Sequence, residues 1–560
     1  MEVQIIQICK IYCVFIIICL ISSSLPSKES KYIKNKVSES LPTESGTYLS
    51  WIIAEKNGNF KKAFDLVSKT KSSLTEIDIL KKAFFLSINH GDWETTIFFA
   101  KRIDNLDSNF FFSKLVLATH EFITGDPKKS EQLFKKIDFS ITNKKFINII
   151  LAWINFSFNN NPQILNAING KEIRPENCSP LECLHSALLN EISGKTEKSN
   201  KFFEKLKINN QSYRILEILL VNYLEKKEID SYKEILEKLK NENLSVSNFN
   251  NLTNIKKQFS PIENPNDGLA EVFLNIAGWF YENKIYDISS YFCNIGLKIR
   301  PDFYSLKFLL ANVYEKLGHK EALLDFLNDS SQPNIYDLHL SKIKLRALNS
   351  LEKKDKSIQI LKKLLKRNPD NNEVILILAD SLRSIGKFKE SIAYYDNVIE
   401  KIDQEDPRYW NIFYSRGISY ERLKKWKLAE RDFLLSLKLN PEAPYVLNYL
   451  GYSWLERKKN LKKALDLIKT ASEIQPNDAY ITDSLGWAYF LLGEYEMSIK
   501  ILEHAIRMLP SDPTLNDHLG DAYWEVGRKS EAISQWKKVL VFKPNKELKR
   551  KVEQKIFKLR

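Results

Sequence analysis

The chain is 560 residues long, 44% hydrophobic and 12% aromatic, a balance that excludes general disorder. It holds 17 glycines, about 3% against a usual ~7%; sheets and long loops consume glycine at their turns, so helices joined by short turns are expected. The net charge of +14 is spread along the chain, with one concentration in the last fifteen residues, KELKRKVEQKIFKLR. Basic residues spread in this way favour solvated helix faces over the alternative of an anionic partner such as nucleic acid or membrane phospholipid.

The first element, IYCVFIIICLI at 11–21, is too short to span a bilayer, which takes about 20 apolar residues. It matches the apolar region of a secretory signal, with Ser22 and Ser24 as the small residues before a cleavage point. Read back to Val3 it takes in Gln4, Gln7 and Lys10 and is alternatively an uncleaved anchor. Lipoprotein processing at Cys19 is disfavoured by Ile18, where a small residue is expected. Residues 1–24 are therefore a signal peptide or membrane anchor, and 25–45 a polar linker. The expected location is periplasmic or envelope-associated, with an inner-membrane anchored form as the alternative.

Residues 46–240 form a degenerate array of helix pairs, with turns at Gly58, Gly91, Gly125, Asn160, Gly194 and Lys227. Within it, CSPLEC offers Cys178 and Cys183 either as a small disulfide in an oxidising compartment or as two ordinary thiols near a helix start. The stretch 241–267 has eight asparagines and two prolines, a composition of loop, and reads as a connector. Residues 268–545 form a second array, turning near Lys284, Gly318, Glu352, Gly386, Lys424, Lys458, Gly493 and Gly527. The basic segment 546–560, with Val552, Ile556 and Leu559 at helical spacing, reads as a capping helix.

The period is sharpest near the C-terminus. Pro441, Pro476, Pro510 and Pro544 are 35, 34 and 34 residues apart, and Gly417, Gly451, Gly486 and Gly520 are 34, 35 and 34 apart. Tyr420, Trp454, Tyr489 and Tyr523 follow the glycines by three positions; Ala429, Ala464, Ser498 and Ala532 repeat in the next helix. This pattern resembles the tetratricopeptide repeat (TPR), a helix–turn–helix unit of about 34 residues. The unit Ala479–Asp512 departs from the pattern at Thr482, where Trp is common, at Ser498, where Ala is, and at Leu502. The resemblance implies an all-α, right-handed α-solenoid superhelix of about fourteen pairs in two arrays. With the export-like N-terminus, the chain is similar to bacterial envelope TPR proteins.

In such arrays the first helix of each pair lines a concave groove. Carried over by position, the groove residues here are Tyr445, Asn448, Tyr452 and Glu456, then Tyr480, Asp483, Trp487 and Phe490, then Thr514, Asp517, Asp521, Trp524 and Glu525. Spacings of three and four put each set on one helical face. An aromatic and acidic groove suits protein or peptide partners with basic or aromatic side chains, and not nucleic acid.

Chemistry is sparse. The seven histidines are scattered, and THEF at 119–122 lacks the second histidine of a zinc-protease motif. Asp517, His518 and Asp521 would be the place for an acid–base or metal site were the chain an enzyme. The same stretch is the regular LG-x-x-Y segment of a repeat, so the expectation is a non-enzymatic interaction scaffold without cofactor or metal. The alternatives are a membrane-anchored adaptor facing the cytosol and, behind it, an enzyme using those three residues.

Overall fold

A computed structural model of the protein describes residues 44–139, 145–160, 173–206, 212–241, 259–328, 335–367 and 369–557. The signal or anchor, most of the linker and residues 242–258 of the expected connector lie outside them. The described residues hold helices and turns and no strands, as the solenoid reading requires.

The helices are α1 (Glu44–Lys56), α2 (Phe60–Thr70), α3 (Ile77–His90), α4 (Trp93–Leu106), α5 (Phe111–Ile123), α6 (Pro127–Phe134), α7 (Lys145–Asn159), α8 (Pro180–Ile192), α9 (Thr196–Leu206), α10 (Tyr213–Lys226) and α11 (Ile229–Asn241). They continue as α12 (Pro265–Glu282), α13 (Tyr286–Ile299), α14 (Tyr304–Leu317), α15 (Lys320–Asn328), α16 (Asp337–Ser350), α17 (Lys354–Arg367), α18 (Asn372–Ser384) and α19 (Phe388–Ile399). The last are α20 (Trp410–Arg422), α21 (Trp426–Leu439), α22 (Pro444–Glu456), α23 (Leu461–Ile474), α24 (Ala479–Leu491), α25 (Tyr495–Met508), α26 (Pro513–Glu525), α27 (Lys529–Val541) and α28 (Lys546–Phe557).

Every turn position given by the period adopts positive φ. Eight are glycines: Gly58, Gly91, Gly125, Gly194, Gly318, Gly386, Gly493 and Gly527. The other six, Asn160, Lys227, Lys284, Glu352, Lys424 and Lys458, take the same left-handed conformation without being glycine. That conformation costs an L-residue about 1–2 kcal/mol. The unit geometry demands it, and packing of the paired helices offsets it.

The rulers have physical causes. A Cβ added at Gly417, Gly451, Gly486 or Gly520 would meet Phe433, Ile468, Leu502 or Trp536 at 2.5–2.8 Å, in each case a side chain of the second helix of the same pair. Pro441, Pro476 and Pro510 lie two residues past the ends of α21, α23 and α25, and Pro544 three past α27. Asp512 accepts from the Thr514 and Leu515 amides at 2.7 and 3.1 Å, and Pro513 opens α26, so cap and proline together fix where that helix starts.

Ala429, Ala464 and Ala532 are fully buried where the second helix meets the first, and so is Ser498, whose hydroxyl has no hydrogen-bond partner. Ser498→Ala restores the small apolar residue of the other units and should raise stability by about 1 kcal/mol, read from chemical denaturation.

One feature departs from a simple open spiral. The first helices of the N-terminal pairs face back onto later parts of the chain. Trp153 of α7 lies against Gly268 of α12, and its Nε1 donates to His185 Nδ1 at 3.0 Å. His185 Nε2 meets Asn275 of α12 at 2.9 Å. Phe85 of α3 stacks on Tyr291 of α13 with centroids 4.2 Å apart. Asn89 Oδ1 accepts from Ser290 Oγ at 3.0 Å, and the Gly58 carbonyl accepts from the Ala322 amide at 3.2 Å. Helices α12–α15 thus fill the inner face of the N-terminal pairs. One core runs from Trp51 to Leu348, continuous across the expected connector. Smaller cores follow one another through α16–α28.

Candidate partner-binding groove

The candidate groove given by position in the repeat lies in the C-terminal units, beyond the reach of α12–α15. Its first helices, α22, α24 and α26, lie side by side because each is the first half of a unit and small residues hold its second half close. Tyr445 near the start of α22 and Tyr480 near the start of α24 occupy equivalent positions and are 51% and 57% exposed, large rings open to a partner. Deeper on the same face, Tyr452 is half-buried, and burial together with Glu456 and Asp483 pushes its phenol above the usual range. Asn448, one turn before it, has a buried Oδ1 with no hydrogen-bond partner.

The centre of this face is a stack of three rings. Trp487 lies parallel to Phe490 at 4.5 Å on one side and to His518 at 4.1 Å on the other. Trp487 Nε1 donates to Glu456 Oε1 of α22 at 3.1 Å, so this one side chain ties α22, α24 and α26 together. His518 is buried, with Nδ1 3.0 Å from both carboxylate oxygens of Asp483. Burial alone would lower the imidazole pKa. Asp483, backed by Asp517 and Asp521, outweighs burial and holds it above the ordinary 6.5.

The sign of the resulting pH dependence follows from that shift. A base whose folded pKa is raised contributes stability that is complete below its unfolded value and lost as pH rises through the folded one. Amide exchange over 479–525 should therefore accelerate as pH climbs from 6.5 through the raised value, beyond the intrinsic base dependence of exchange, and His518→Gln should remove the excess. The carboxylates facing His518 are Asp483, Asp517 and Asp521, and Lys555 lies beside the last two, so the comparison is best made at constant ionic strength.

The last acidic pair is occupied from within the chain. Lys555 of α28 donates to Asp517 at 2.7 Å and to Asp521 at 2.6 Å, and its ammonium lies 5.5 Å from the centre of the Trp536 ring. Trp536 Nε1 donates to Asp521 at 3.1 Å. Even so, burial and neighbouring Asp517 raise the Asp521 pKa. Trp524 packs near Trp536 at 5.6 Å, with the Lys529 ammonium over its ring. Of the groove residues given by position, Tyr445, Asn448, Tyr452, Tyr480, Asp483, Trp487 and Phe490 line the face before the cap; Asp517, Asp521 and Trp524 pack at its capped end. Lys555 itself was hidden in the sequence. The tail's helical spacing marks the capping helix but not which of its seven basic residues turns inward.

Asp517, His518 and Asp521 are neighbours, but each is engaged within the chain. His518 points to Asp483, and the two carboxylates to Lys555. Among the described residues no group of three or more His, Cys, Asp or Glu side chains is placed to hold a metal ion, and no helix is long and apolar enough to cross a membrane. Cys178 and Cys183 form a disulfide with Cα atoms 5.4 Å apart, just before and inside the first turn of α8. Cys293 is a buried free thiol.

Models of the tetratricopeptide repeat match residues 414–479 and 483–512. A BBSome complex member of Bos taurus, BBS4, is 34% identical over 128 residues, 23% of either chain. A TPR repeat-containing protein of Pseudomonas aeruginosa is 26% identical over 27% of this chain and 25% of its own length. The Lipoprotein NlpI homolog of Haemophilus influenzae is 30% identical over 16% of this chain and 28% of its own. The chain spans about a quarter of the length of these curated relatives. Among solved structures, the APC/C hetero-tetramer Cut9-Hcn1 overlays 87% of this chain and 97% of its own at 16% identity, with a TM-score of 0.36. YrrB, a TPR protein with an unusual peptide-binding site, overlays 35% of this chain and 97% of its own at 18% identity, with a TM-score of 0.28.

Proposed function

We propose, for a chain that carries tetratricopeptide repeats over 414–479 and 483–512, a non-enzymatic scaffold of the bacterial cell envelope whose groove between α22 and α26 seats a segment of a partner protein. The observation that carries the reading is the ring stack of Phe490, Trp487 and His518, flanked by Glu456 and Asp483 and approached past the exposed Tyr445 and Tyr480. Rigid aromatic surface with a few fixed polar groups is what a peptide anchor needs. The acidic rim favours partner segments with basic or aromatic side chains. Lys555 is a local example: a lysine held by two carboxylates beside an indole face. The engagement of His518 by Asp483, and of Asp517 and Asp521 by Lys555, within the chain supports a non-catalytic role for them.

Export is supported by the apolar run 11–21 and by the Cys178–Cys183 disulfide, since disulfides persist in oxidising compartments. An alkaline phosphatase fused after Arg560 should be active in intact cells. A stable but silent fusion contradicts export and favours the anchored form facing the cytosol. For the groove, Tyr445→Ser/Tyr480→Ser should weaken binding of the partner that co-purifies with the full chain at least tenfold, with helical content unchanged. Unaltered affinity contradicts the assignment.

A further inference from the structure

Between the first two helix pairs and the helices folded back on them lies a cleft of about 740 Å³. That is within the ~300–1,000 Å³ of small-molecule sites. Its walls come from parts of the chain more than 200 residues apart: Lys61 and Asn89 on one side, Lys298, Lys307 and Asn328 on the other. None of the three lysines has an ion-pair partner among the described residues. One carboxylate, Asp325, lines the same cleft, leaving an excess of positive charge.

The amides add to the imbalance. Asn89 spends its Oδ1 on Ser290 and Asn294. Asn328 spends its Oδ1 on Lys344. Both are left with NH2 groups to donate. The Tyr314 hydroxyl donates to the Asn89 carbonyl, so that oxygen too is taken. Lys307 is half-buried over the Tyr304 ring, and burial, partly opposed by Asp302, lowers its pKa. With His90 and Asn294 also on its wall, the cleft sets three lysines and two donor amides against one carboxylate, and a bound anion would balance it.

We propose that this cleft binds a compact, multiply charged oxyanion, a phosphate ester or a small polycarboxylate, and that the bound anion fastens α2 and α3 to α13–α15. The site lies between non-consecutive units, away from the groove of α22–α26, so it is independent of the partner-binding reading.

The test uses the full chain with pyrophosphate and with citrate as separate probes, at about 0.15 M salt so that the general attraction of a +14 chain is screened. Saturable binding by calorimetry and a raised unfolding temperature are expected with at least one probe. Pyrophosphate alone identifies phosphate chemistry, citrate alone carboxylate chemistry, and either supports the site. Lys298→Met/Lys307→Met should weaken binding at least tenfold, and Lys61→Met, on the exposed side and safe for folding, should weaken it severalfold. The charge-matched control Lys462→Met/Lys463→Met on α23 should bind like the parent. Absence of saturable binding, equal loss in the control, or undiminished binding in Lys61→Met and the double variant overturns the proposal.

Discussion

Replacing Arg214 by methionine should destabilise the chain by about 3–5 kcal/mol, because it leaves buried carboxylates without their cation. Arg214 is buried in α10 and donates from all three guanidinium nitrogens. Nε donates to Glu271 at 2.9 Å and Nη1 to Glu217 at 2.8 Å. Nη1 and Nη2 donate further to the carbonyls of Phe259 and Ser260 at 2.6 and 2.9 Å. Glu217 also accepts from Ser305 Oγ at 3.0 Å and from the Tyr336 hydroxyl. Glu271 has no such reserve, since its Oε1 is buried without a partner. One arginine therefore links α10 to the strap 259–260 and to α12, and through Glu217 to α14 and the start of α16. The single variant should unfold at clearly lower denaturant. Arg214→Met/Glu271→Met, which removes the stranded carboxylate, should recover part of the loss. A single variant within 1 kcal/mol of the parent contradicts the role given to this network.

Gly268→Ala should be nearly as damaging, at about 3 kcal/mol, the upper end of ordinary overpacking. A Cβ at Gly268 would run into the indole of Trp153. The indole cannot turn aside: Trp153 is fully buried, and its Nε1 is held by His185, which is in turn held by Asn275. Contact between α7 and α12 must open instead, exposing the apolar inner face of the N-terminal pairs and with it a tendency to aggregate. Trp153→Phe should restore part of the stability in the Gly268→Ala background, because the smaller ring leaves room for the methyl group. Equal stability of Gly268→Ala and the parent, by the same denaturation measurement, contradicts close packing at this crossing.

The local architecture was largely legible in the sequence. The period alone located fourteen left-handed turn positions, including Lys424 and Lys458, where no glycine signals one, and missed those at Ser260, Asn460 and Lys543. The small residues Gly486 and Ala505 and the cap Asp512 proved to be where helices touch or start. Such features repeat because each unit solves the same nearest-neighbour packing problem. The fold-back of α12–α15 does not repeat, and the period is blind to it. Asn89 and Ser290, or Arg214 and Glu271, are matched only by the path of the superhelix. One sequence signal did exist: apart from Glu271, the stretch Gly268–Leu274 of α12 is apolar or glycine on every side, a pattern that belongs inside a larger body, and the structure buries each of its residues. For the candidate groove the same limit applies. Position in the repeat gives the inner face, but pairing His518 with Asp483 and Lys555 with Asp517 depends on which side chains adjacent helices bring together.

Partners are expected to meet this chain on the inner face of its C-terminal units. The most direct measurement places a photoreactive phenylalanine analogue at Tyr480, on the inner face, or at Met497, on the second helix of the same unit and 44% exposed, and irradiates intact cells. A discrete intermolecular adduct is expected from position 480, lost when Trp487→Ala is added, and none from position 497. Adducts from position 497 with none from 480 would contradict it.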